Sequence, residues 1–315
     1  MQKTTRVLAV LLLVLVGFLS PQRTEAFSEI IVIGDSLSDA GDLYIKTGGF
    51  APLPPYWNGR FSNGTTWVED LAVKLGLPTP TPSLGALSNR TDYAFGGAHT
   101  DTNDLLGLGV GMAQQVTMFQ TDLTNSPSWD VSQALFVVWG GANDYMNYLD
   151  NGGALPLPVS NLTQRVEELI GLGAKNFLTC NLPALGDTPK YRGTAKEATA
   201  NSLSQQFAID WRLQVNALSA SNSQCAFYYF DVYSAFQNML TNPAAYGFSN
   251  VTDPAYDGTT VVSNPDEYLF WDHVHPTRVG HELLATEAYA IVPEPGSMML
   301  LLLALPVLVR RCWKS

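Results

Sequence analysis

A buried strand that leads directly into a polar turn decides the fold, and its sequence is Ile30-Ile31-Val32-Ile33-Gly34-Asp35-Ser36-Leu37-Ser38-Asp39-Ala40-Gly41. The run Ile30–Ile33 is too uniformly apolar to have a solvated face, which favours a parallel sheet covered on both sides. Ser36 then lies at the carboxyl end of this strand, where a helix should begin and where open α/β sheets bind ligands. Its own amide can point at a developing oxyanion. Taken alone, Gly-Asp-Ser is also compatible with an ordinary turn or helix cap.

Further strands and helices are predicted along the chain by their apolar patterns. The strands are Tyr93–Phe95, Ala134–Trp139, Phe177–Cys180 and Phe227–Val232. Two helices are predicted by apolar stripes at helical spacing, one through Leu162, Val166, Leu169 and Ile170, the other through Leu203, Phe207, Trp211, Val215 and Leu218. A last helix is predicted to begin near Pro276, with this proline in its first turn. This alternation indicates one α/β domain with a parallel sheet.

Two of these strands also end in residues suited to binding an oxyanion. Tyr93–Phe95 runs into Gly96-Gly97-Ala98, and glycine lets the backbone present an N–H close to a ligand, although a tight turn explains the pair equally well. The position relative to Ala98 favours Gly97 over Gly96. Ala134–Trp139 runs into Gly140-Gly141-Ala142-Asn143-Asp144, where Asn143 carries two amide donors. Capping of the next helix is the competing role for Asn143 or Asp144.

The fourth block is Trp271-Asp272-His273-Val274-His275-Pro276. A carboxylate three residues before a histidine can bind Nδ1 of the ring and leave Nε2 to take a serine proton. His275 has that spacing from Asp272, whereas His273 does not. The rival interpretation is a zinc site, which adds Asp253 or Asp257 to these side chains.

Two other histidines, His99 and His281, have no place in this arrangement. We expect both to be structural or to line a pocket.

These blocks together resemble the SGNH/GDSL hydrolase family. The resemblance rests on Gly-Asp-Ser-Leu near the start, on Gly97, on Gly-x-Asn-Asp ending at Asp144, and on Asp-x-x-His-Pro ending at Pro276. Two additional stretches, residues 59–64 and 181–186, are similar to the lipase and esterase branch. The match extends from Ile30 to Ala290.

The resemblance implies a three-layer α/β/α sandwich with a flavodoxin-like parallel sheet. It also implies catalysis by Ser36, Asp272 and His275, with an oxyanion hole formed by Ser36, Gly97 and Asn143. Neither a cofactor nor a metal is required. The substrate is expected to be a lipid, aryl or acetylated carbohydrate ester.

Composition excludes one class of partner. The chain of 315 residues has a formal net charge of −11, which repels nucleic acid phosphates and anionic lipid surfaces. We therefore expect no nucleic acid partner. Of the three cysteines, Cys180 and Cys225 are expected to stay unbridged, because they lie at opposite ends of strands that we predict to be parallel neighbours.

The amino terminus indicates export. Lys3 and Arg6 precede an apolar run, Val7–Leu19, and a small-x-small site ends at Ala26. This order is typical of a signal peptide, residues 1–26, that is removed by signal peptidase. The apolar run is shorter than the roughly 20 residues that span a bilayer, which disfavours an anchor.

The carboxyl terminus, residues 292–315, resembles a PEP-CTERM sorting signal, which an exosortase-type enzyme processes in bacteria. It contains Pro293-Glu294-Pro295, an apolar run from Met298 to Val309, and the basic pair Arg310-Arg311. Basic residues at this end favour the cytoplasmic side. We expect residues 27–291 to form the exported hydrolase domain, held transiently at the membrane and then at the cell surface or outside the cell. A permanent anchor helix is the alternative.

Two functional hypotheses follow. The first is an active carboxylic ester hydrolase; the second is a catalytically silent surface or exopolysaccharide-associated protein on the same fold, suggested by the tail. The intact residues Ser36, Asp272 and His275 favour the first. The long segments Gly48–Gly64 and Thr241–Asp272 have little periodicity, and we expect both to shape the substrate pocket.

Overall fold

A four-stranded parallel sheet forms the centre of this computed structural model, which describes residues 27–86 and 89–292. The predicted signal peptide and sorting tail lie outside these residues, apart from Val292. The strands, in spatial order, are β1 (Ile30–Gly34), β2 (Leu135–Trp139), β3 (Asn176–Cys180) and β4 (Ala226–Phe230). All three pairings are parallel. The sheet and its burial on both sides confirm the prediction made from the apolar runs.

Eight α-helices occur within the described residues, and six of them cover the sheet. They are α1 (Asp42–Lys46), α2 (Trp67–Leu75), α3 (Met112–Asn125), α4 (Ala142–Asn151), α5 (Pro158–Gly171), α6 (Glu197–Ser221), α7 (Val232–Thr241) and α8 (Arg278–Ile291). On one face, α3, α5 and α6 pack against Ile31 and Ile33. On the other face, α2, α7 and α8 pack against Ile30 and Val32. The result is the expected α/β/α sandwich.

The predicted strand Tyr93–Phe95 is not a regular strand. The segment Thr91–Phe95 runs beside β1, where Tyr93 N–H donates to the Val32 carbonyl at 2.9 Å and Val32 N–H donates to the Thr91 carbonyl at 2.9 Å, but the pairing amounts to a single bridge. The side chain of Asp92 accepts the N–H of Ala94, and Phe95 N–H donates to the Gly34 carbonyl at 3.3 Å. If this segment is counted as an edge strand, the five strands, numbered in chain order with this segment as the second, are arranged 2-1-3-4-5, the order found in flavodoxin.

Two predicted helix starts are also wrong. No helix begins at Ser36: the Asp35 carbonyl accepts the N–H groups of Ser38 and Asp39 in a single turn that does not continue, and α1 starts only at Asp42. The last helix does not include Pro276. Its N-cap is Thr277, whose hydroxyl accepts the N–H of Gly280.

The two cysteines predicted to stay unbridged are both free. Cys180 pairs with Phe230 in the β3–β4 register, while Cys225 directly precedes Ala226, which pairs with Asn176 at the other end. Five residues of strand separate the two levels by about 16 Å, well beyond the reach of a disulfide.

The segment Thr241–Asp272 contains regular structure that the sequence pattern did not show. A small parallel pair forms from β5 (Asn250–Pro254) and β6 (Tyr268–Phe270).

Within residues 27–86 and 89–292, no helix is long and apolar enough to cross a membrane.

Candidate active site

Three side chains from the two ends of the chain meet at the carboxyl edge of the sheet. His275 Nε2 lies 2.8 Å from Ser36 Oγ, and His275 Nδ1 lies 2.7 Å from Asp272 Oδ2. Ser36 follows β1, whereas Asp272 and His275 lie between β6 and α8. Ser36 and His275 are 239 residues apart in the chain. The structure therefore brings together the serine, histidine and carboxylate that the sequence suggested, in the order of a proton-transfer chain.

The Asp272 carboxylate is buried and ionised. Burial by itself would raise the pKa of Asp272, but the charge that His275 can carry and the hydrogen bonds from His275 and Tyr56 lower it to about 2. The other carboxylate oxygen, Oδ1, accepts the backbone N–H groups of Val274 and His275, both at 2.8 Å. This arrangement fixes the carboxylate plane and directs Oδ2 at the imidazole ring.

The turn that holds Ser36 is anchored from two sides. Gln115 of α3 accepts the N–H of Gly34 at 2.9 Å and donates to the carbonyl of Gly34 at 2.8 Å. Asp39 accepts the N–H groups of Gly41 and Asp42 at 2.7 and 2.6 Å, and so supports the start of α1. The serine is thereby presented in a fixed turn, and only 7% of its surface is exposed.

The N–H groups of Gly96 and Gly97 differ in whether they have a hydrogen-bond partner. The N–H of Gly96 donates to the Asp39 carboxylate at 2.8 Å and is therefore occupied. The N–H groups of Gly97 and Ser36 donate to no atom of the described residues, and both residues line the same cleft. Gly97 has φ +79°, which disfavours a side chain, and a Cβ on Gly96 would lie 2.2 Å from the Phe61 ring.

Asn143 lies near the beginning of α4. Its Nδ2 donates one hydrogen to the Ala98 carbonyl at 2.9 Å, which orients the amide, and the residue lines the cleft with Ser36. The capping alternative is wrong for both candidates, because Gly141 is the N-cap and no side chain caps the helix. Asp144 instead accepts the N–H and the hydroxyl of Thr100.

A cleft of about 310 Å³ opens over these groups. Its apolar lining residues include Leu43, Phe61, Leu105, Leu106 and Met146. Its polar lining residues include Asn147, Asp150, Asn151 and Lys190. Lys190 Nζ and Asp150 form an ion pair at 2.8 Å.

The predicted wall segments contribute unequally to this cleft. Gly48–Gly64 supplies Phe61, whose ring packs against the His275 ring at 5.1 Å between centroids. Thr241–Asp272 supplies none of the lining residues, and that expectation is wrong. Its Tyr256 and Asp272 instead line a smaller neighbouring cavity.

Comparison with known proteins decides the family. The family model of GDSL-like lipases and acylhydrolases matches residues 30–288, nearly all of the described chain. The chain belongs to this family. As a GDSL lipase/acylhydrolase it is a carboxylic ester hydrolase by class.

Several curated relatives are similar over most of this GDSL hydrolase. The thermolabile hemolysin of Vibrio parahaemolyticus is 26% identical over 83% of the chain, a match that spans 63% of the hemolysin. The phosphatidylcholine-sterol acyltransferase of Aeromonas hydrophila is 28% identical over 85% of the chain and 90% of its own length. A GDSL esterase/lipase of Arabidopsis thaliana is 26% identical over 82% of the chain and 87% of its own length.

Among solved structures, a catalytic mutant of an acetylxylan esterase from Geobacillus stearothermophilus is 15% identical. The superposition covers 85% of this chain and 94% of the esterase chain, with a TM-score of 0.46. The enzyme LAE5 from the Lake Arreo metagenome is 14% identical, covering 86% and 100% respectively, with a TM-score of 0.47.

The remaining histidines of the GDSL hydrolase lie outside the proton-transfer chain. His281 is buried, accepts the N–H of Trp67 through Nδ1, and has a pKa that burial lowers to about 3, so it is a neutral structural residue. His99 does not line the cleft. His273 is exposed. In the part of the chain that the structure describes, no group of three or more His, Cys, Asp or Glu side chains is arranged to hold a metal ion, so the zinc alternative has no geometric support.

Three residues at the site had no role assigned from the sequence. Asp39 lies in the quoted turn, but its contact with Gly96 joins segments 57 residues apart. Gln115 lies 81 residues from Gly34 and carries no local signal. Tyr56 was one aromatic residue among many in a loop, and only the fold shows that its hydroxyl reaches Asp272.

We predict that Asn143→Ala lowers kcat by about 10²–10³ with KM nearly unchanged, because one oxyanion donor is lost. Steady-state kinetics on a chromogenic ester measure this effect. Asn147→Ala is the comparison variant: Asn147 lies one turn further along α4, lines the cleft and accepts a hydrogen bond from Asn151, so its loss should change KM at most and leave kcat unchanged. A change in KM alone would make Asn143 a binding residue.

We also predict that His273→Ala keeps the acid limb of the pH–rate profile. If His275 is the general base, activity should rise with pH, because a protonated ring cannot accept the proton of Ser36. His273 is exposed, and its backbone carbonyl, which the substitution retains, accepts the N–H of Lys190. Measuring kcat/KM against pH tests this, and disappearance of the limb in the variant would assign the base to the wrong histidine.

Proposed function

We propose that this GDSL hydrolase is a secreted serine esterase that cleaves carboxylic esters through an acyl-enzyme on Ser36. One observation carries the proposal: Ser36 Oγ, both ring nitrogens of His275 and Asp272 Oδ2 form a continuous chain of hydrogen bonds at 2.8 and 2.7 Å. Such a chain activates an alcohol that is otherwise a weak nucleophile.

In the acylation step, Ser36 Oγ attacks the ester carbonyl carbon while His275 Nε2 takes the hydroxyl proton. Asp272 keeps the proton of the ring on Nδ1 and stabilises the imidazolium that forms. The tetrahedral intermediate then collapses, the bond to the alcohol oxygen breaks, and His275 returns its proton to the leaving alcohol. In the second half, His275 deprotonates a water that attacks the acyl carbon, and Ser36 is regenerated with release of the acid.

The negative oxygen of each intermediate is stabilised by three donors. Ser36, Gly97 and Asn143 all line the same cleft, and the N–H groups of Ser36 and Gly97 and the second hydrogen of the Asn143 amide have no partner among the described residues. Fixed donors of this kind stabilise charge without reorganising during the reaction. The contacts of Asp39 with Gly96, and of the Ala98 carbonyl with Asn143, keep the last two donors in place.

The cleft is lined by both apolar and polar side chains, which favours an ester that has one apolar and one polar part. Leu43, Phe61, Leu105 and Leu106 suit an acyl or aryl group, and the asparagines and Lys190 suit a hydroxyl-bearing alcohol. The volume of about 310 Å³ is at the small end of ligand cavities, which favours short groups inside it. The hemolysin, acyltransferase and esterase/lipase relatives are consistent with lipid or simple esters.

Kinetics on a panel of nitrophenyl esters with increasing acyl length test the proposal. We expect turnover of carboxylic esters, with kcat/KM decreasing once the acyl chain exceeds the cleft. A corresponding anilide and a phosphate monoester are the controls, and both should be hydrolysed far more slowly. Failure to hydrolyse any carboxylic ester would overturn the function.

We propose further that the enzyme acts outside the cell, after removal of residues 1–26 and processing of the tail near Pro293-Glu294-Pro295. The signal-like order of segments at both ends supports this proposal. Deletion of residues 295–315 should leave catalysis intact and change where the protein accumulates. Intact-mass analysis of enzyme from its native host is the test, and retention of Cys312 and Trp313 on a membrane-embedded chain would show a permanent anchor.

A further inference from the structure

The Asp272 carboxylate accepts a fourth hydrogen bond from outside the serine–histidine chain. Oδ1 binds the N–H groups of Val274 and His275, and Oδ2 binds His275 Nδ1 at 2.7 Å. The hydroxyl of Tyr56 also donates to Oδ2, at 2.6 Å and from 216 residues away in the chain. The oxygen that faces the imidazole is therefore shared between the ring and a phenol.

The ring of Tyr56 is fixed by three aromatic neighbours. Its centroid lies 6.0 Å from Phe61, 5.8 Å from Tyr256 and 6.1 Å from Trp271, each in an edge-to-face arrangement, which is favourable for aromatic pairs. The flanking residues 53–55 and 57–58 are exposed, so Tyr56 alone of this stretch turns its side chain inward. Such packing leaves the hydroxyl little freedom to leave Asp272.

We propose that Tyr56 is a positioning residue that acts on His275 through Asp272. This inference rests on the proposed function. The hydrogen bond from Tyr56 fixes the carboxylate plane and removes part of the negative charge from Oδ2. Both effects set how strongly Asp272 holds the imidazolium during the reaction.

The hydroxyl of Tyr56 donates over the whole working range of pH. Burial, and after it the negative charge of Asp272, raise the pKa of Tyr56, so the phenol stays protonated. Two other titratable groups face His275, namely Asp35, whose pKa burial raises to about 7, and His281, whose pKa burial lowers to about 3. Neither hydrogen-bonds to Tyr56, so a change at Tyr56 leaves their contacts in place.

Tyr56→Phe tests the inference, because it removes the hydroxyl and keeps the ring. We expect kcat to fall about tenfold at nearly constant KM, because the carboxylate loses the contact that orients Oδ2 toward the imidazole ring, and this loss of alignment outweighs the gain in charge on Oδ2. The acid limb of kcat/KM should move to higher pH, because Oδ2 regains charge and stabilises the protonated His275 ring. A purely structural role would lower the melting temperature without moving this limb.

Tyr256→Phe is the matched control. Tyr256 belongs to the same aromatic cluster, but its hydroxyl donates to the Gly258 carbonyl at 3.0 Å and does not touch Asp272. We expect this variant to keep the wild-type kcat and pH profile. Equal effects of the two substitutions would overturn the inference and assign them to packing.

A second readout does not depend on turnover. The proton on His275 Nδ1 should give a downfield resonance in nuclear magnetic resonance spectra, and Tyr56→Phe should shift it further downfield because Oδ2 becomes a stronger acceptor. If the wild type hydrolyses no ester but the resonance shifts in Tyr56→Phe, the proposed function fails and the contact stands. If the wild type is active and Tyr56→Phe changes neither the resonance nor kcat, the inference is overturned.

Discussion

Replacement of Ser36 by alanine is expected to abolish ester hydrolysis. The hydroxyl is the only group of this residue that reaches His275, and without it the base has no attached nucleophile. Loss of a nucleophile in a triad leaves only the small rate enhancement from binding and the oxyanion donors, roughly 10³–10⁴ over water. Steady-state turnover of a nitrophenyl ester is the measurement.

Ser38→Ala is the matched control for Ser36→Ala. Ser38 is buried two residues further along the same turn, and its hydroxyl accepts the indole N–H of Trp67 at 3.0 Å without contacting His275. We expect this variant to be less stable but active. A Ser36→Ala enzyme with nearly the wild-type rate and a normal melting curve would contradict the account.

The second large effect is expected for Asp272→Asn, which should lower kcat by about 10⁴. The N–H groups of Val274 and His275 would keep the amide oxygen at the Oδ1 position. The NH₂ group then replaces Oδ2 and donates to Nδ1. This forces the ring proton onto Nε2, where it blocks acceptance of the proton from Ser36.

Asp253→Asn serves as the control, because Asp253 is exposed on β5 and binds Asn250. It should retain the wild-type rate. Loss of activity in both variants, with recovery on addition of zinc, would revive a metal site. A fall for Asp272→Asn that disappears at high pH would mean that the tautomer is not the cause.

The meeting of Ser36 and Asn143 at one edge of the sheet was predictable because each residue is tied to the end of an apolar run. Ser36 follows β1 and Asn143 follows β2, and parallel neighbours bring their carboxyl ends to one edge. The spacing of Asp272 and His275 is equally local, since three residues place the carboxylate beside the ring. Short-range patterns of this kind can be recognised in the sequence without knowledge of the tertiary structure.

The supporting contacts were not predictable, because they join segments far apart in the chain. Asp39 and Gly96 are each compatible with an isolated turn, and only the docking of Thr91–Phe95 against β1 brings them to 2.8 Å. The hydroxyl of Tyr56 reaches Asp272 because the ring packs on Trp271. Neither contact leaves a periodic signal in the sequence.

The cleft walls show a similar limit. Long segments without periodicity were expected to form the walls, but Thr241–Asp272 folds its own small sheet and lies beside the cleft. Leu105 and Leu106 form the wall instead, because the Leu105 N–H donates to the Gly97 carbonyl at 2.9 Å and holds that loop over the site. The composition of a loop indicates that the loop is functional, but it does not indicate which surface the loop covers.

The central claim, that Ser36 is a nucleophile activated by His275, is tested most directly by a fluorophosphonate probe. The probe transfers a phosphonyl group to an activated serine hydroxyl and loses fluoride, so intact-mass spectrometry counts the labels and peptide mapping locates them. We predict one label per chain, on Ser36, and none in Asp272→Asn over the same time. No labelling of the active wild-type enzyme, or labelling at a different serine, would contradict the account.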